Sequence, residues 1–428
     1  MLHRVGVVNR ELDKVKVVRV IARLNIGGPA IQAITLTECL GQDEFTSYLI
    51  SGKISEEEGD MMSYAWKRNV HPIIFQELGR EISSMNDVVA FVKLVQFLRN
   101  VQPHIVHTHT AKAGTLGRLA AWFARVPIKI HTFHGHVFSG YFGWGKTKFY
   151  ILIEQVLAFL SDRILVLSEH QRQELVDVYR IASNHKFQIV PLGFDLEPFF
   201  ALSGATPNIQ PHQGGLVPLI IGYIGRLVDI KNPFLALDAL RLLEFQSTVP
   251  IQLWIAGGGP LEDSLKQAAQ KEQFAGGVRF LGWRYDMAQL YSSLDIVILT
   301  SLNEGTPVVL IEAMASGKPF IATEVGGVRD LMVGVGEPVC GKNRGQFTVY
   351  ENGILVSSQD VHGLTDALEF LASDPEKRAA MGRVGQVFAK AQFTKERLLK
   401  DLRFLYKDLL KRKGFHVQSL SLVGNKKD

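Results

Sequence analysis

The sequence predicts an α/β protein of two successive doubly wound domains, a Rossmann-like pair facing a central cleft. Three observations carry this expectation. Short β-branched runs, Gly- or polar-rich turns and helical patterns alternate along most of the chain, which implies parallel strands joined by right-handed crossovers. The alternation breaks once, at residues 198–215, where Gly, Pro, Asn, His and Gln displace apolar residues. At 428 residues the chain also exceeds what one hydrophobic core serves, while 46% hydrophobic and 21% charged residues let each half bury a core of its own.

The first strand is expected over residues 15–22 (VKVVRVIA), ending in the turn Asn25-Ile-Gly-Gly-Pro29, with a helix over 30–40. Further strands are expected at 47–51, 104–107, 128–132, 163–167 and 188–190, separated by helices at 88–99, 115–124 and 148–160. After the break, strands fall at 219–223, 251–256, 278–281, 296–300 and 319–323, with helices at 232–243, 261–271, 307–316 and 361–372. Residues 334–350 are glycine-rich and read as an irregular loop, and a long amphipathic helix closes the pattern at 394–411. The expected division is an N-terminal domain over 1–200, a linker over 201–216, a C-terminal domain over 217–390, and a final helix and tail over 391–428 that crosses back to the first domain. Ligands of such sheets sit at the carboxyl ends of the strands, so the turns after strands are where chemistry is sought.

Composition excludes several classes. Cys39 and Cys340 are far apart and match no metal-ligand spacing, which argues against a disulfide framework and for a reducing compartment. The net charge of +5 fits an anionic ligand or membrane surface, and no lysine- and arginine-rich run with interleaved aromatics marks a nucleic-acid surface. Arg4, Arg10 and Lys14 precede no sustained apolar stretch, and the longest apolar run, 149–160, is short for a membrane span and interrupted by Glu154 and Gln155. The expectation is a cytoplasmic protein, soluble or peripheral on the inner face of the plasma membrane.

Four post-strand turns carry polar residues of interest. Glu304-Gly-Thr-Pro-Val-Val-Leu-Ile-Glu312 follows the strand at 296–300. With Pro307 in the first helical turn, backbone N–H groups around Gly305, Thr306, Val308 and Val309 form a seat for phosphate, and the two carboxylates can hold hydroxyls. The bland alternative is a dipole-favouring acid followed by a solvated helix glutamate. Gly225-Arg226 and Lys231 could clamp a diphosphate, or simply be solvated. Gly257-Gly-Gly-Pro260 lacks the spacing of a nicotinamide site and reads chiefly as a tight turn, while Gly27-Gly28 could sit over a phosphate or acceptor or simply turn the chain. Histidines at 104, 107, 109, 131, 134 and 136 come without a carboxylate or cysteine at ligand spacing, so a zinc site is not expected. His134, just after the strand at 128–132, is expected to face the interdomain cleft, and the others to pack or cap.

Taken in order, these motifs resemble the large retaining glycosyltransferase family 4 with the GT-B fold. The resemblance runs through Val190-Pro-Leu-Gly-Phe-Asp195, Gly225-Arg-Leu with Lys231, Ile255-Ala-Gly-Gly-Gly-Pro260, Phe280-Leu-Gly282, the E-x7-E segment from Glu304 to Glu312, Ala313-Met-Ala-Ser-Gly-Lys-Pro319 and Val325-Gly-Gly327. It implies that Glu304 holds hydroxyls of a donor sugar and Glu312 the ribose of its nucleotide. It further implies that Arg226 and Lys231 bind the diphosphate together with N–H groups after Gly305. His134 would touch the sugar from the first domain, and Gly27 and Gly28 would lie near the diphosphate and acceptor. Asn232-Pro233 stands where the family often has glycine, and residues 334–350 exceed the usual link to Asn352-Gly353.

The implied activity is retaining transfer of a hexosyl unit from a nucleoside diphosphate sugar, UDP being favoured, to an acceptor hydroxyl in polysaccharide or lipid-linked glycan synthesis. No metal and no cofactor beyond the co-substrate are expected, the two cations standing in for a metal. Rival readings are a sugar-nucleotide epimerase or hydrolase of similar fold, and a non-catalytic sugar-nucleotide-binding subunit of a polysaccharide assembly complex. The aromatic and basic stretch from Tyr141 to Phe149 suggests contact with an anionic membrane, ordinary packing being the alternative.

Overall fold

A computed structural model describes residues 10–41, 44–54, 59–79, 83–135, 138, 143–203, 218–244, 250–272, 274 and 277–417. Contacts divide the chain into one unit comprising Met1–Phe194 with Lys395–Asp428 and another comprising Asp195–Thr394.

The first unit runs β1 (Arg10–Leu12), β2 (Val15–Arg23), α1 (Gly28–Leu40), β3 (Phe45–Gly52), α2 (Met62–Lys67), β4 (Ile73–Phe75), α3 (Ser84–Val101), β5 (Ile105–His109) and α4 (Ala111–Phe123). It continues with β6 (Ile128–Thr132), α5 (Trp144–Leu160), β7 (Arg163–Val166), α6 (Glu169–Gln173) and β8 (Phe187–Ile189). Its seven-stranded sheet has the order β4-β3-β2-β5-β6-β7-β8, parallel throughout. The chain moves outward from β2 to β4, then crosses back to β5, so the strand order reverses between β2 and β5. That crevice is where a doubly wound sheet binds ligands.

The second unit runs α7 (Glu197–Leu202), β9 (Leu219–Ile224), α8 (Phe234–Glu244), β10 (Ile251–Ala256), α9 (Glu262–Glu272), β11 (Val278–Gly282), α10 (Met287–Ser292) and β12 (Ile296–Leu299). It continues with α11 (Val308–Ala315), β13 (Phe320–Thr323), β14 (Glu337–Cys340), β15 (Gln346–Val349), β16 (Gly353–Val356), α12 (Val361–Ala372) and α13 (Pro375–Gln392). The order β11-β10-β9-β12-β13-β16-β15-β14 repeats the first unit's logic, with its reversal between β9 and β12. Leu219, Ile221 and Tyr223 of β9 pack with Ile296 and Ile298 of β12 in a core closed by α8 and α12.

Helix α14 (Lys395–Arg412) returns the chain to the first unit, as expected of the final helix. Its Leu398, Leu402, Leu405 and Leu409, spaced four, three and four apart, form one helical stripe packed with Val15, Val17, Leu36, Ile105 and Ile128. Strand β17 (Phe415–Val417) then pairs in parallel with β1.

The structure corrects two expectations. Residues 334–350 are not a loop: β14 and β15 form an antiparallel hairpin, and β15 joins β16 at the sheet edge. Asp366 of α12 pins the hairpin tip, accepting from Gly345 N–H at 2.8 Å and from Asn343 Nδ2 at 2.7 Å. The change of domain also falls earlier than residue 200. Helix α7 packs Phe199 against Tyr291, ring centroids 5.8 Å apart, and so belongs to the second unit. Most of the predicted linker, residues 204–216, lies outside the described residues. No helix among the described residues is long and apolar enough to cross a membrane.

Candidate functional site

In the second unit the turns after β9 and β12 flank the reversal point and are tied together. Leu302 N–H donates to Ile230 O at 2.8 Å, and Thr300 Oγ1 donates to Asn232 O at 2.8 Å and Lys231 O at 3.1 Å. Lys231 closes a 3₁₀ turn, Asp229–Lys231, ahead of α8. Asn232 follows at φ 45 and ψ 55, the left-handed conformation that glycine adopts freely and asparagine tolerates. An asparagine therefore fits this turn without the strain most other side chains would meet.

This turn aims Lys231 at Glu304. Lys231 Nζ is ion-paired with Glu304 Oε1, which also accepts from Ser301 Oγ at 2.6 Å. Ser301 is itself held, its carbonyl accepting from Thr323 Oγ1 at 2.6 Å. The side chains of Lys231 and Glu304 are only 23% and 9% exposed, so the pair is held by the protein around it and is not a solvated surface bridge. Arg226, on the same turn after β9, is exposed.

The glycines around these residues accommodate protein backbone. Gly225 N–H donates to Ala256 O at 2.9 Å and Leu227 N–H to Gly258 O at 3.0 Å. A Cβ at Gly257 would stand 1.9 Å from Gly225 O. Gly326, at φ +49, approaches the other turn equally closely: its Cβ would lie 1.9 Å from Glu304 O. The Gly257-Gly-Gly-Pro260 turn is thus structural, as the sequence favoured, and it supports the Gly225-Arg226 turn.

Pro307 stands one place further out than expected, at the N-cap of α11 with φ −74 and ψ 113. Gly305 and Thr306 form the turn before it, and the N–H groups of Val308 and Val309 open the helix, where no intrahelical carbonyl is available to them. Glu312 lies one turn along and retains partial solvent contact. Tyr291, fully buried, places its hydroxyl 3.0 Å from Glu312 Oε2 and 3.0 Å from Val309 O. Burial raises the Glu312 carboxyl to about 7, against a downward pull from the Tyr291 bond.

At the first unit's reversal point the polar groups are histidines. His107 of β5 lies between Tyr406 of α14 (Nδ1 to Oη, 2.7 Å) and Thr132 of β6 (Nε2 to Oγ1, 2.7 Å). His131 Nδ1 meets Thr108 Oγ1 at 2.9 Å, and His109 Nδ1 meets His134 Nε2 at 2.9 Å. Burial lowers all four, His134 to about 3 and the others well below the usual imidazole range. The fully buried Arg19 adds a positive charge against His107 and His109. The second nitrogens of His109 and His134 are buried and have no hydrogen-bond partner among the described residues. His104 caps, accepting from Lys16 N–H at 3.0 Å, while His136 lies outside the described residues. Gly27 is the N-cap of α1 at φ 160 and ψ 165, extended backbone, and Gly28 starts the helix two residues before its expected beginning. A Cβ at Gly27 would meet nothing nearer than Pro29 Cδ at 3.8 Å, so the space over this turn is open.

Within the second unit the structure therefore brings together Lys231 and Glu304, with Glu312 on the helix that follows. Sequence reasoning missed Ser301, Thr300, Tyr223 and Tyr291. The first two stand directly after the apolar strand, a place where polar residues were worth weighing. Tyr223 lies on the same strand as the motif it underlies, and burial raises its phenol further than Glu304's charge does. Tyr291 bonds a residue 21 positions away, which no local pattern reports.

The chain matches known protein families over most of its length. A model described as Glycosyltransferase Family 4 matches residues 26–198, and one described as Glycosyl transferases group 1 matches residues 209–387. The chain is 27% identical over 373 residues to the UDP-Gal:alpha-D-GlcNAc-diphosphoundecaprenol alpha-1,3-galactosyltransferase of Escherichia coli, covering 85% of this chain and 89% of that protein. It is 23% identical over 337 residues to the capsular polysaccharide biosynthesis glycosyltransferase CapM of Staphylococcus aureus, covering 78% and 84%. In fold it resembles the crystal structure of Anabaena HepE in complex with UDP, with a TM-score of 0.72 over 92% of this chain and 100% of that one at 19% identity.

Proposed function

Since the chain belongs to glycosyltransferase family 4, we propose that it moves a hexosyl unit from a UDP-sugar to a hydroxyl of a lipid-linked glycan, with retention at the anomeric carbon. The observation that carries the reading is the convergence of Arg226, Lys231, Glu304 and the start of α11 on the reversal point of the second sheet. A diphosphate seated there meets two cations and two open N–H groups, which stabilise the charge of the departing nucleotide without requiring a metal ion. Lys231 already holds Glu304 in place, so the carboxylate is preorganised to accept sugar hydroxyls. Glu312 takes the ribose.

The UDP-sugar donor is supported by the Escherichia coli relative, named for UDP-Gal, and by the UDP bound to HepE. A lipid-linked acceptor is supported by the diphosphoundecaprenol in that relative's name. The test is incubation with UDP-hexoses and a polyprenyl diphosphate-linked GlcNAc acceptor, followed by NMR of the product. An α-linked disaccharide from an α-linked donor is expected. A β-linked product would end the assignment of retention, and release or epimerisation of the sugar faster than transfer would replace transferase by hydrolase or epimerase.

A further inference from the structure

Helix α5 turns an apolar face away from the protein. Leu157 and Ala158 are buried on its inner side, Ala158 packing with Phe133, Ile164 and Val166 of the first unit. Its outer side carries Phe149, Leu152, Val156 and Phe159, spaced three, four and three residues apart as a single stripe. Trp144 and Phe159, near the two ends of the helix, are 76% and 82% exposed, and the residues of the stripe between them are at least 55% exposed. Scattered apolar residues need no explanation on a protein surface, but a continuous stripe of this kind does.

The charges of the helix are arranged around that stripe. Lys146 and Lys148 are exposed in its first turn, with Lys148 Nζ 4.1 Å above the Trp144 ring. The helix has one acidic residue, Glu154, and it is withdrawn from the surface: Glu154 Oε2 accepts from Arg118 Nη2 of α4 at 2.7 Å, the two side chains being 6% and 0% exposed. The outward face is therefore apolar and basic, with no carboxylate of its own. A second copy of this face would bring lysines without acids to meet them. An anionic lipid surface complements both parts, accepting the aromatic and aliphatic stripe at the acyl boundary and the lysines among its headgroups. Helix α3 runs beside α4 on the same side of the sheet and adds exposed Met85, Val88 and Val92.

We infer that the outer face of α5 docks the protein on an anionic phospholipid bilayer, lying in its plane without crossing it. The inference rests on the proposed lipid-linked acceptor and names the surface by which the enzyme reaches it. The N-terminal ends of α3, α4 and α5 lie at the carboxyl edge of the sheet, the edge that holds His109 and His134.

The test is co-sedimentation of the full chain with phosphatidylglycerol-containing or pure phosphatidylcholine vesicles at low and high salt. Wild type should pellet with the anionic vesicles, less at high salt. L152E/V156E and K146E/K148E should each weaken that binding roughly tenfold or more. Brominated acyl chains should quench fluorescence in wild type and clearly less in W144F. Wild type that ignores anionic vesicles, a double variant that binds as well as wild type, or an L152E/V156E change that only converts a dimer to a monomer would each overturn the inference. UDP-sugar-induced thermal stabilisation and transfer to a short-chain, water-soluble acceptor should be unchanged in both double variants. A loss confined to vesicle-borne acceptor thus separates the docking face from the chemistry. If wild type transfers to neither acceptor, the functional reading fails while vesicle binding still decides the docking face.

Discussion

The two sheets reverse their strand order at corresponding places, yet their crevices are furnished in opposite ways. In the second unit the crevice holds an ion pair, Lys231 with Glu304, and a partly solvated glutamate further along. In the first it holds three buried histidines and the half-buried His134, all kept uncharged beside a buried arginine. The glycines differ as well. Gly257 and Gly326 make room for the protein's own carbonyls, whereas Gly27 fronts open space. Topology alone fixes where a ligand can sit, and the side chains decide what charge it meets. The second crevice suits an anion that gains charge during reaction, and the first suits neutral hydroxyls.

Acid should expose this contrast most strongly. A histidine whose folded pKa lies below its unfolded 6.5 supports the fold above pH 6.5 and opposes it as pH falls toward the folded value. Between pH 6.5 and 5 each fully depressed histidine costs about 2 kcal/mol. Hydrogen exchange should therefore show the first unit losing protection on going from pH 7.5 to 5, ahead of the second. Equal losses in both units would break the comparison.

Removing charge from the second crevice should act on turnover instead. Lys231→Ala is expected to lower kcat/KM by about 10²–10³ with circular dichroism unchanged, and Arg226→Ala to lower it less because that side chain is exposed. Wild-type turnover in both would remove the diphosphate clamp from the mechanism.

Gly326→Ala pushes a Cβ into Glu304 O and should cost about 2–3 kcal/mol in urea unfolding. Gly27→Ala, at extended backbone with room above it, should change stability by under about 0.5 kcal/mol. If Gly27 fronts the ligand, the same substitution lowers turnover, and stability and activity part company at one residue.

Glu312 offers a smaller and oppositely signed effect. Its folded value of about 7 lies above the ordinary 4.5, so the folded state prefers the neutral acid. The carboxyl therefore carries no penalty below about pH 4.5 and its full penalty above about pH 7. Glu312→Gln should raise stability by about 1–2 kcal/mol at pH 8, lose that gain by pH 5, and weaken nucleotide binding at both. A stability gain independent of pH would refute the raised carboxyl.

Much of this was legible in sequence because apolar strands and post-strand turns are local patterns. Strands β6 and β10 and helix α12 lie where the alternation put them, and Glu304, Glu312, Arg226 and Lys231 all follow apolar runs. What escaped depends on partners remote in the chain. The hairpin β14–β15 has four-residue strands flanked by glycines and is secured by Asp366, more than twenty positions on from the tip residues it holds. Helix α7 looked like linker because its two phenylalanines sit beside a polar stretch, and Phe199 finds Tyr291 only in three dimensions. The histidines were visible as a cluster, but their neutrality is a property of burial among Arg19, Thr132 and Tyr406.

The return of α14 has a consequence for synthesis. Residues from Leu398 to Leu410 complete the core that β2, α1 and β5 begin, and Tyr406 closes the histidine network. A ribosome emits the whole of the second unit before it emits those residues. The unit translated last can therefore close its core first, while the earlier one waits with an open flank on Val15, Leu36 and Ile105. During that interval the nascent chain exposes apolar surface that the mature protein covers.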